Sequence, residues 1–319
     1  TQTINSTGYK EVDLTDNKAS SSKIDVAAHY RIDGDSELIF NSKIGSGNTV
    51  LHATNRNMLK NFMLQQHKIE YRSPKLTARA YTSIEDSGNT HDMSALGARI
   101  ANAQPGGIAG WFGTYLNAYF GSIFGQFDPN PLAGFSKVLN TAAAGWDMNR
   151  ALKYYGAYDL DYPVHVAARN AADVNMLVPG SQGFKTAYLN STTTPIANGG
   201  AAIIDNSKSN SFEFNYNLGD LVPSFDLIVG AQYRDYILRS GGSLFTDYDA
   251  PIKFNELGVY TQVQKDLFDG ALKLTGSMRY DKSEYFDGQF TPRLGALLFI
   301  SPTQNFRFSY QTGFQNPSS

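Results

Sequence analysis

Cysteine is absent from this chain of 319 residues, and the formal charge is only −2. The first absence excludes a disulfide framework and thiolate metal sites. The second leaves no basic stripe of the kind that neutralises phosphates, so nucleic acid is not an expected partner. The chain opens Thr1-Gln2-Thr3-Ile4 with no initiator Met, basic segment or apolar segment of a signal peptide. It closes on Asn316-Pro317-Ser318-Ser319 directly after strand-like sequence, and both ends read as cuts inside a longer protein. The mean hydropathy of −0.33 argues against a bundle of membrane helices but not against a membrane barrel, whose strands show lipid only every second residue.

Catalytic and metal signatures are missing too. There is no G-x-S-x-G elbow, P-loop or H-E-x-x-H. The five histidines, His29, His52, His67, His91 and His165, are not spaced to share a metal, and His29 and His67 read as lumen-facing or rim residues of different strands. Asp247 and Asp249 could hold a hard cation, but the ordinary reading is a solvated loop tip. No catalytic residue, cofactor site or metal site is expected.

What is present is alternation. Strand-like segments run over residues 23–32, 37–45, 62–72, 76–85, 211–218, 225–238, 255–268, 271–282, 290–300 and 305–314. Phe225, Leu227, Val229, Ala231 and Tyr233 share one face, with Asp226, Gln232 and Arg234 on the other; Phe306, Phe308 and Tyr310 likewise oppose Arg307, Ser309 and Gln311. The links alternate short and long: Asp33-Gly34-Asp35, Ser73-Pro74 and Asp269-Gly270 are tight, while 46–61, 86–210, 239–254 and 283–289 are longer. Strands of about ten residues match a tilted crossing of the hydrocarbon layer. One rim of tight turns and one of long loops gives an antiparallel up-and-down transmembrane β-barrel, of which about ten strands are visible. Tyr30, Tyr71, Tyr81, Tyr233, Tyr236, Tyr260, Tyr280, Tyr285, Phe299 and Phe314 lie near strand ends, which suits an interfacial aromatic girdle. Leu227, Val229, Leu294, Leu298, Phe306 and Phe308 are expected to face lipid.

The division expected is barrel strands over 1–85, a helical extracellular insertion over 86–210, and barrel strands over 211–319. Helical patterns in the insertion cover 91–103, 108–127, 136–155 and 163–176, broken by Gln104-Pro105-Gly106-Gly107, Asp128-Pro129-Asn130-Pro131 and Pro179-Gly180. The segment 108–127 carries Gly110, Gly113, Gly121, Gly125, Asn117 and Gln126, so it reads as part of a folded loop domain rather than a membrane span. A connection of this length is expected to have work to do, standing outside the cell over part of the barrel mouth. Within it Trp111, Tyr115 and Tyr119 fall on one helix face and have two uses open: a platform for a ligand or partner, or the packed inside of the insertion. Phe112, Phe120 and Trp146 are expected to pack in the same way. Arg31, Arg79, Arg234, Arg279, Arg293 and Arg307 are candidate lumen residues, lining an open pore for anions or pairing with the acids of a plug.

The stretch 256–317 goes beyond pattern. It contains Arg279-Tyr280-Asp281, then Phe290-Thr291-Pro292-Arg293, then Ser309-Tyr310-Gln311-Thr312-Gly313-Phe314-Gln315-Asn316-Pro317. It resembles the barrel domain of TonB-dependent outer-membrane receptors, most of all the large receptors of Bacteroidetes-type bacteria, with Gln315 where Arg is usual. The resemblance implies a 22-stranded barrel in the Gram-negative outer membrane, surrounded by outer-membrane lipid, with an N-terminal plug domain inside it. It implies energised uptake of a nutrient (a glycan, peptide or chelated metal) through the TonB complex, and leaves room for a surface lipoprotein. The alternatives are an anchoring subunit for surface partners and a passive porin-like pore.

Overall fold

The computed structural model describes residues 4–52, 55–125, 163–222 and 224–314. Eleven strands form one antiparallel sheet: β1 (Ser20–Arg31), β2 (Glu37–His52), β3 (Arg56–Arg72), β4 (Leu76–Asp86), β5 (His91–Asp92), β6 (Lys208–Asn217), β7 (Asp226–Leu238), β8 (Ile252–Leu267), β9 (Leu272–Ser283), β10 (Gln289–Ser301) and β11 (Gln304–Gln311). Except for β5, which pairs with β3, each strand lies beside its predecessor in sequence, and the path runs from β1 to β11 without closing on itself within the described residues. The helices are α1 (Glu11–Leu14), α2 (Met93–Asn102), α3 (Gly107–Gly125), α4 (Pro163–Asp173) and α5 (Gln182–Thr193). The chain separates into two compact units. One holds Thr1–Asn17, Val50–Met58 and His91–Ala202, and the other holds Lys18–Thr49, Leu59–Thr90 and Ile203–Ser319.

In the sheet unit the period of two does the sorting. Direct partners across an antiparallel pair point to the same side. Registers carry one apolar row through Ile69, Ala80, Phe212, Tyr233 and Leu257, and the next through Tyr71, Ala78, Phe214, Ala231, Val259, Tyr280 and Phe290. Further toward the tight turns come Tyr216, Val229, Thr261, Met278 and Pro292, then Leu227, Val263, Gly276, Leu294 and Tyr310, then Leu267, Leu272, Leu298 and Phe306. Leu294, Leu298, Phe306 and Phe308 are exposed, Leu227 and Val229 partly so, and all six stand on this face. From Leu257 to Leu267 the band spans ten residues, about 33 Å along the strand. At a tilt of about 40° that is about 25 Å along the membrane normal, the height of the lipid-facing band of outer-membrane barrels.

The band ends at a polar row on the same face. His67, Thr82, Asn210, Asp235 and Asn255 are successive cross-strand partners. Ser42 Oγ lies 2.9 Å from His67 Nδ1, Asn210 donates to Asp235, and Asn255 donates to Glu284. Of the two readings of His67, lumen-facing or at a rim, the first is corrected, since His67 shares the parity of Ile69 and Tyr71 and lies in the polar row where the band ends. The aromatic girdle is corrected in the same way. Tyr30, Tyr71, Tyr233 and Tyr280 stand on the apolar face, whereas Tyr81, Tyr236, Tyr260 and Phe299 have the opposite parity and cannot face lipid.

The tight links fall on one rim and the long ones on the other, as the unbroken antiparallel order requires. One long loop is shorter than expected. β2 continues to His52 and β3 begins at Arg56, although Gly45-Ser46-Gly47-Asn48 has turn composition. The pairing of β1 with β2 runs on to Ser20 opposite Asn48, and cross-strand hydrogen bonds override local turn preference there.

The helical unit has two small cores. α2 starts at Asp92, whose Oδ1 accepts from the Ala95 amide at 2.8 Å, and α5 starts at Ser181, whose Oγ accepts from Phe184. Leu14, Leu96, Ile100, Phe184, Ala187 and Ala201 form one core, and α3 packs on α4 in the other. α5 is absent from the helical patterns of the sequence. The pattern over 136–155 and Trp146 lie outside the described residues. Among the described residues no helix is long and apolar enough to cross a membrane, which says nothing of strands.

Candidate functional site

The candidate rings Trp111, Tyr115 and Tyr119 lie together in the helical unit, and the six candidate arginines lie on one face of the sheet. Trp111, Tyr115 and Tyr119, one turn apart on α3, are stacked with centroids 5.3 and 6.0 Å apart and planes within 10°. Their exposures are 2, 1 and 7%. Ala168 and Ala172 of α4 let that helix approach closely. Polar atoms of the stack are satisfied: Trp111 Nε1 donates to Asp173 at 2.7 Å, and Tyr115 Oη lies 2.5 Å from His165 Nδ1. Thr7 donates to Asp173 and receives a bond from Arg169, whose guanidinium lies 5.4 Å from the centre of the Trp111 ring. Burial raises the Tyr115 phenol above its ordinary pKa, with Arg169 opposing. Phe112 is partly buried against the stack and Phe120 is 39% exposed. This stack is the interior of the helical unit and presents no open ring face.

The six arginines all have the parity of the polar face. Three are tied to acids of the wall itself. Arg79 pairs with Glu213, Arg234 lies 3.9 Å from Glu256, and Arg279 Nε donates to both oxygens of Asp281 at 2.8 Å. The pairs are linked into a lattice. Glu213 also accepts from Tyr81 and Gln232, and Gln232 Oε1 accepts from Arg279, so β4, β6, β7 and β9 are joined through side chains. Glycine makes room for this lattice. A Cβ on Gly230 would sit 2.4 Å from the Tyr260 ring, which crosses it so that the phenol can donate to Asn215 on β6. Glu70, 2% exposed, is held by Lys68 at 2.7 Å and Arg72 at 2.5 Å. Arg31, Arg293 and Arg307 have no ion pair among the described residues. A buried carboxylate survives only with such partners, so the lattice makes this part of the face polar with its acids paired.

Asp247 is no solvated tip. In the link between β7 and β8 it is 5% exposed and accepts from the amides of Ser240, Gly241 and Gly242 and from the Ser240 hydroxyl. Burial alone would raise its pKa, but the Ser240 hydroxyl and these amides hold it well below the usual carboxylate range. Its oxygens are used by the loop, which argues for loop order over cation binding. Among the described residues no group of three His, Asp or Glu could hold a metal.

Sequence reasoning missed a second ring cluster. Tyr236 and Phe254 are direct partners across β7 and β8, with centroids 4.7 Å apart and planes 18° apart. Tyr285, in the link after β9, lies 5.7 Å from Phe254. Tyr236 donates to Glu256, and the three rings stand at the long-link rim of the polar face. The available signal was parity: Tyr233 and Tyr236 are three apart in one strand, so they cannot share a face.

The family model described as TonB dependent receptor-like, beta-barrel, matches residues 13–319. The chain belongs to that family, whose barrels are proteins of the Gram-negative outer membrane. Among solved structures it resembles the siderophore receptor PirA of Pseudomonas aeruginosa (10% identity, 95% of this chain and 35% of that one, TM-score 0.49). It also resembles the ferric enterobactin receptor PfeA, as the G324V mutant, of the same organism (10% identity, 92% and 33%, TM-score 0.47). A third is the FrpB iron transporter of Neisseria meningitidis, F5-1 variant (11% identity, 92% and 36%, TM-score 0.45). The chain spans about a third of the length of these receptors. No curated protein matches it.

Proposed function

We propose that this chain is the barrel-wall part of an energised receptor that imports a nutrient across the outer membrane. The carrying observation is the division of the sheet. One face is an apolar band of membrane height, and the other is a lattice of paired charges that an aqueous or plug-filled lumen tolerates and lipid does not. On this reading the apolar face meets outer-membrane lipid, the polar face surrounds an N-terminal plug, and the TonB complex supplies the energy through the plug. The arginines Arg31, Arg293 and Arg307, which make no ion pair among the described residues, are the ones offered to the plug. The segment 86–210 belongs to the long-link rim, outside the cell, and shapes substrate access. A second use, docking of a surface lipoprotein, draws on Val174, Val178 and Leu189 of the helical unit, which are 79, 66 and 60% exposed.

The test is uptake by cells carrying the full-length receptor, with and without a functional TonB complex. Growth on the imported nutrient should require both. Uptake that persists without TonB would replace the reading with a passive pore. Deleting 86–210 should leave a heat-modifiable barrel with lost or relaxed uptake, and unchanged uptake and partner binding would remove the role given to that segment.

A further inference from the structure

At the long-link rim the polar face changes character, from paired charges to rings and hydroxyls. Tyr236 and Phe254 stack on each other, Tyr285 flanks them at 59% exposure, and its hydroxyl is anchored on the Lys253 carbonyl at 3.3 Å. Beside Tyr236 lies a cavity of about 230 Å³, walled by Ser83, Ser207, Ser209, Glu85, Asp205 and Leu238. Glu85 and Asp205 both contribute carboxyl groups to this wall. The carboxyl groups accept hydrogen bonds, and the serine hydroxyls both donate and accept. One side of the cavity therefore offers hydroxyl and carboxyl groups, and the other a ring and an aliphatic side chain.

We infer that this cluster is a binding platform for a neutral, polyhydroxylated ring of the sugar class, which deepens and rests on the import reading above. A sugar ring has an apolar C–H face and a rim of hydroxyls. The first fits the Tyr236 ring at the cavity and the exposed Tyr285 ring near it, and the second fits three serine hydroxyls that donate and accept and two carboxyl groups that accept. The cavity is smaller than a drug-sized pocket and suits a single ring of a longer chain. Other charges fit less well. A phosphate or ferric catecholate would meet the carboxyl groups of Glu85, Asp205 and Glu256, and Lys208 at the cavity wall has the parity of the apolar face. A cationic ligand would meet the Arg234 guanidinium, which stands 3.9 Å from Glu256 beside the rings.

The test is calorimetric titration of the full-length receptor in detergent with three probes: a panel of neutral glucan, galactan and mannan oligosaccharides, oligolysine, and a ferric catecholate. A neutral oligosaccharide should bind. Loss of one stacking ring, in Tyr236→Ala or Phe254→Ala, should weaken it about tenfold. Phe254→Leu keeps an apolar side chain and removes the ring, so it should also weaken binding while folding as the wild type does. Failure of every oligosaccharide to bind the wild type would overturn the inference. So would binding of only oligolysine or the catecholate, or unchanged affinity in Phe254→Leu. Binding in detergent needs no energy source, so these failures fall on the ligand class, while TonB-independent uptake would fall on the import reading.

Discussion

Trp111, Tyr115 and Tyr119 stack along one face of a helix, and Tyr236 and Phe254 stack across two strands with Tyr285 beside them. The rings and spacings are alike, but the surroundings differ. The helical stack is capped by alanines of α4, and its polar atoms are consumed by Asp173 and His165. The strand cluster has Tyr285 in the open and hydroxyl and carboxyl groups at its edge. Aromatic side chains packed on all sides contribute stability, whereas rings left with an open face next to donors and acceptors are poised to bind.

The comparison predicts opposite responses to the same kind of substitution. Trp111→Ala should cost about 3–5 kcal/mol in the helical unit, since it empties a fully packed site. Hydrogen exchange should show α3 and α4 losing protection together, and unchanged protection would deny the stack its structural role. The apolar band makes the next largest prediction. Val229→Arg should cost about 2–4 kcal/mol at mid-membrane depth. Normal assembly with arginine at both Val229 and Leu298 would mean that this face does not meet lipid. Gly230→Val drives a side chain into the Tyr260 ring and should cost about 1–3 kcal/mol, read as a lowered urea midpoint. Tyr236→Ala removes one cross-strand ring pair and should cost no more than about 1 kcal/mol of stability. Its effect on ligand affinity should be the larger one.

The smallest effect concerns pH. The Asp247 carboxyl is depressed, so the order it gives the loop is fully present above the ordinary carboxylate pKa and is lost only as pH falls through its lower folded value. Exchange protection of the Ser240, Gly241 and Gly242 amides should therefore persist at pH 3, relative to intrinsic rates. Asp247→Asn should lower that protection at every pH. Loss of protection near pH 4 in the wild type would mean the carboxylate is not held as described.

The difference between the clusters also explains what could be read from the residues alone. Trp111, Tyr115 and Tyr119 are four apart, so their shared face follows from helix geometry. Tyr236, Phe254 and Tyr285 are separated by 18 and 31 residues, and only strand register brings them together. The antiparallel order, the apolar face and the rims follow from alternation and link length, which are local. Which side Tyr236 faces was legible from the parity of Tyr233, yet proximity to a strand end suggested otherwise; the side of His67 was likewise legible from Ile69. α5 escaped because Gln182–Thr193 mixes Thr, Asn and Ser with few apolar residues; Ser181, as its cap, was the available signal. That Glu85 and Asp205 line one cavity was not legible, because Asp205 lies in irregular chain and nothing local ties it to β4.

Hydroxyl-radical footprinting of the full-length receptor, with and without a bound oligosaccharide, reads both clusters at once. Tyr285 should oxidise fastest and Tyr236 measurably, both should be protected by the sugar, and Tyr115 and Tyr119 should stay unmodified in either state. Oxidation of Tyr115 or Tyr119 at the rate of Tyr285, or sugar protection confined to them, would reverse the roles assigned to the two clusters.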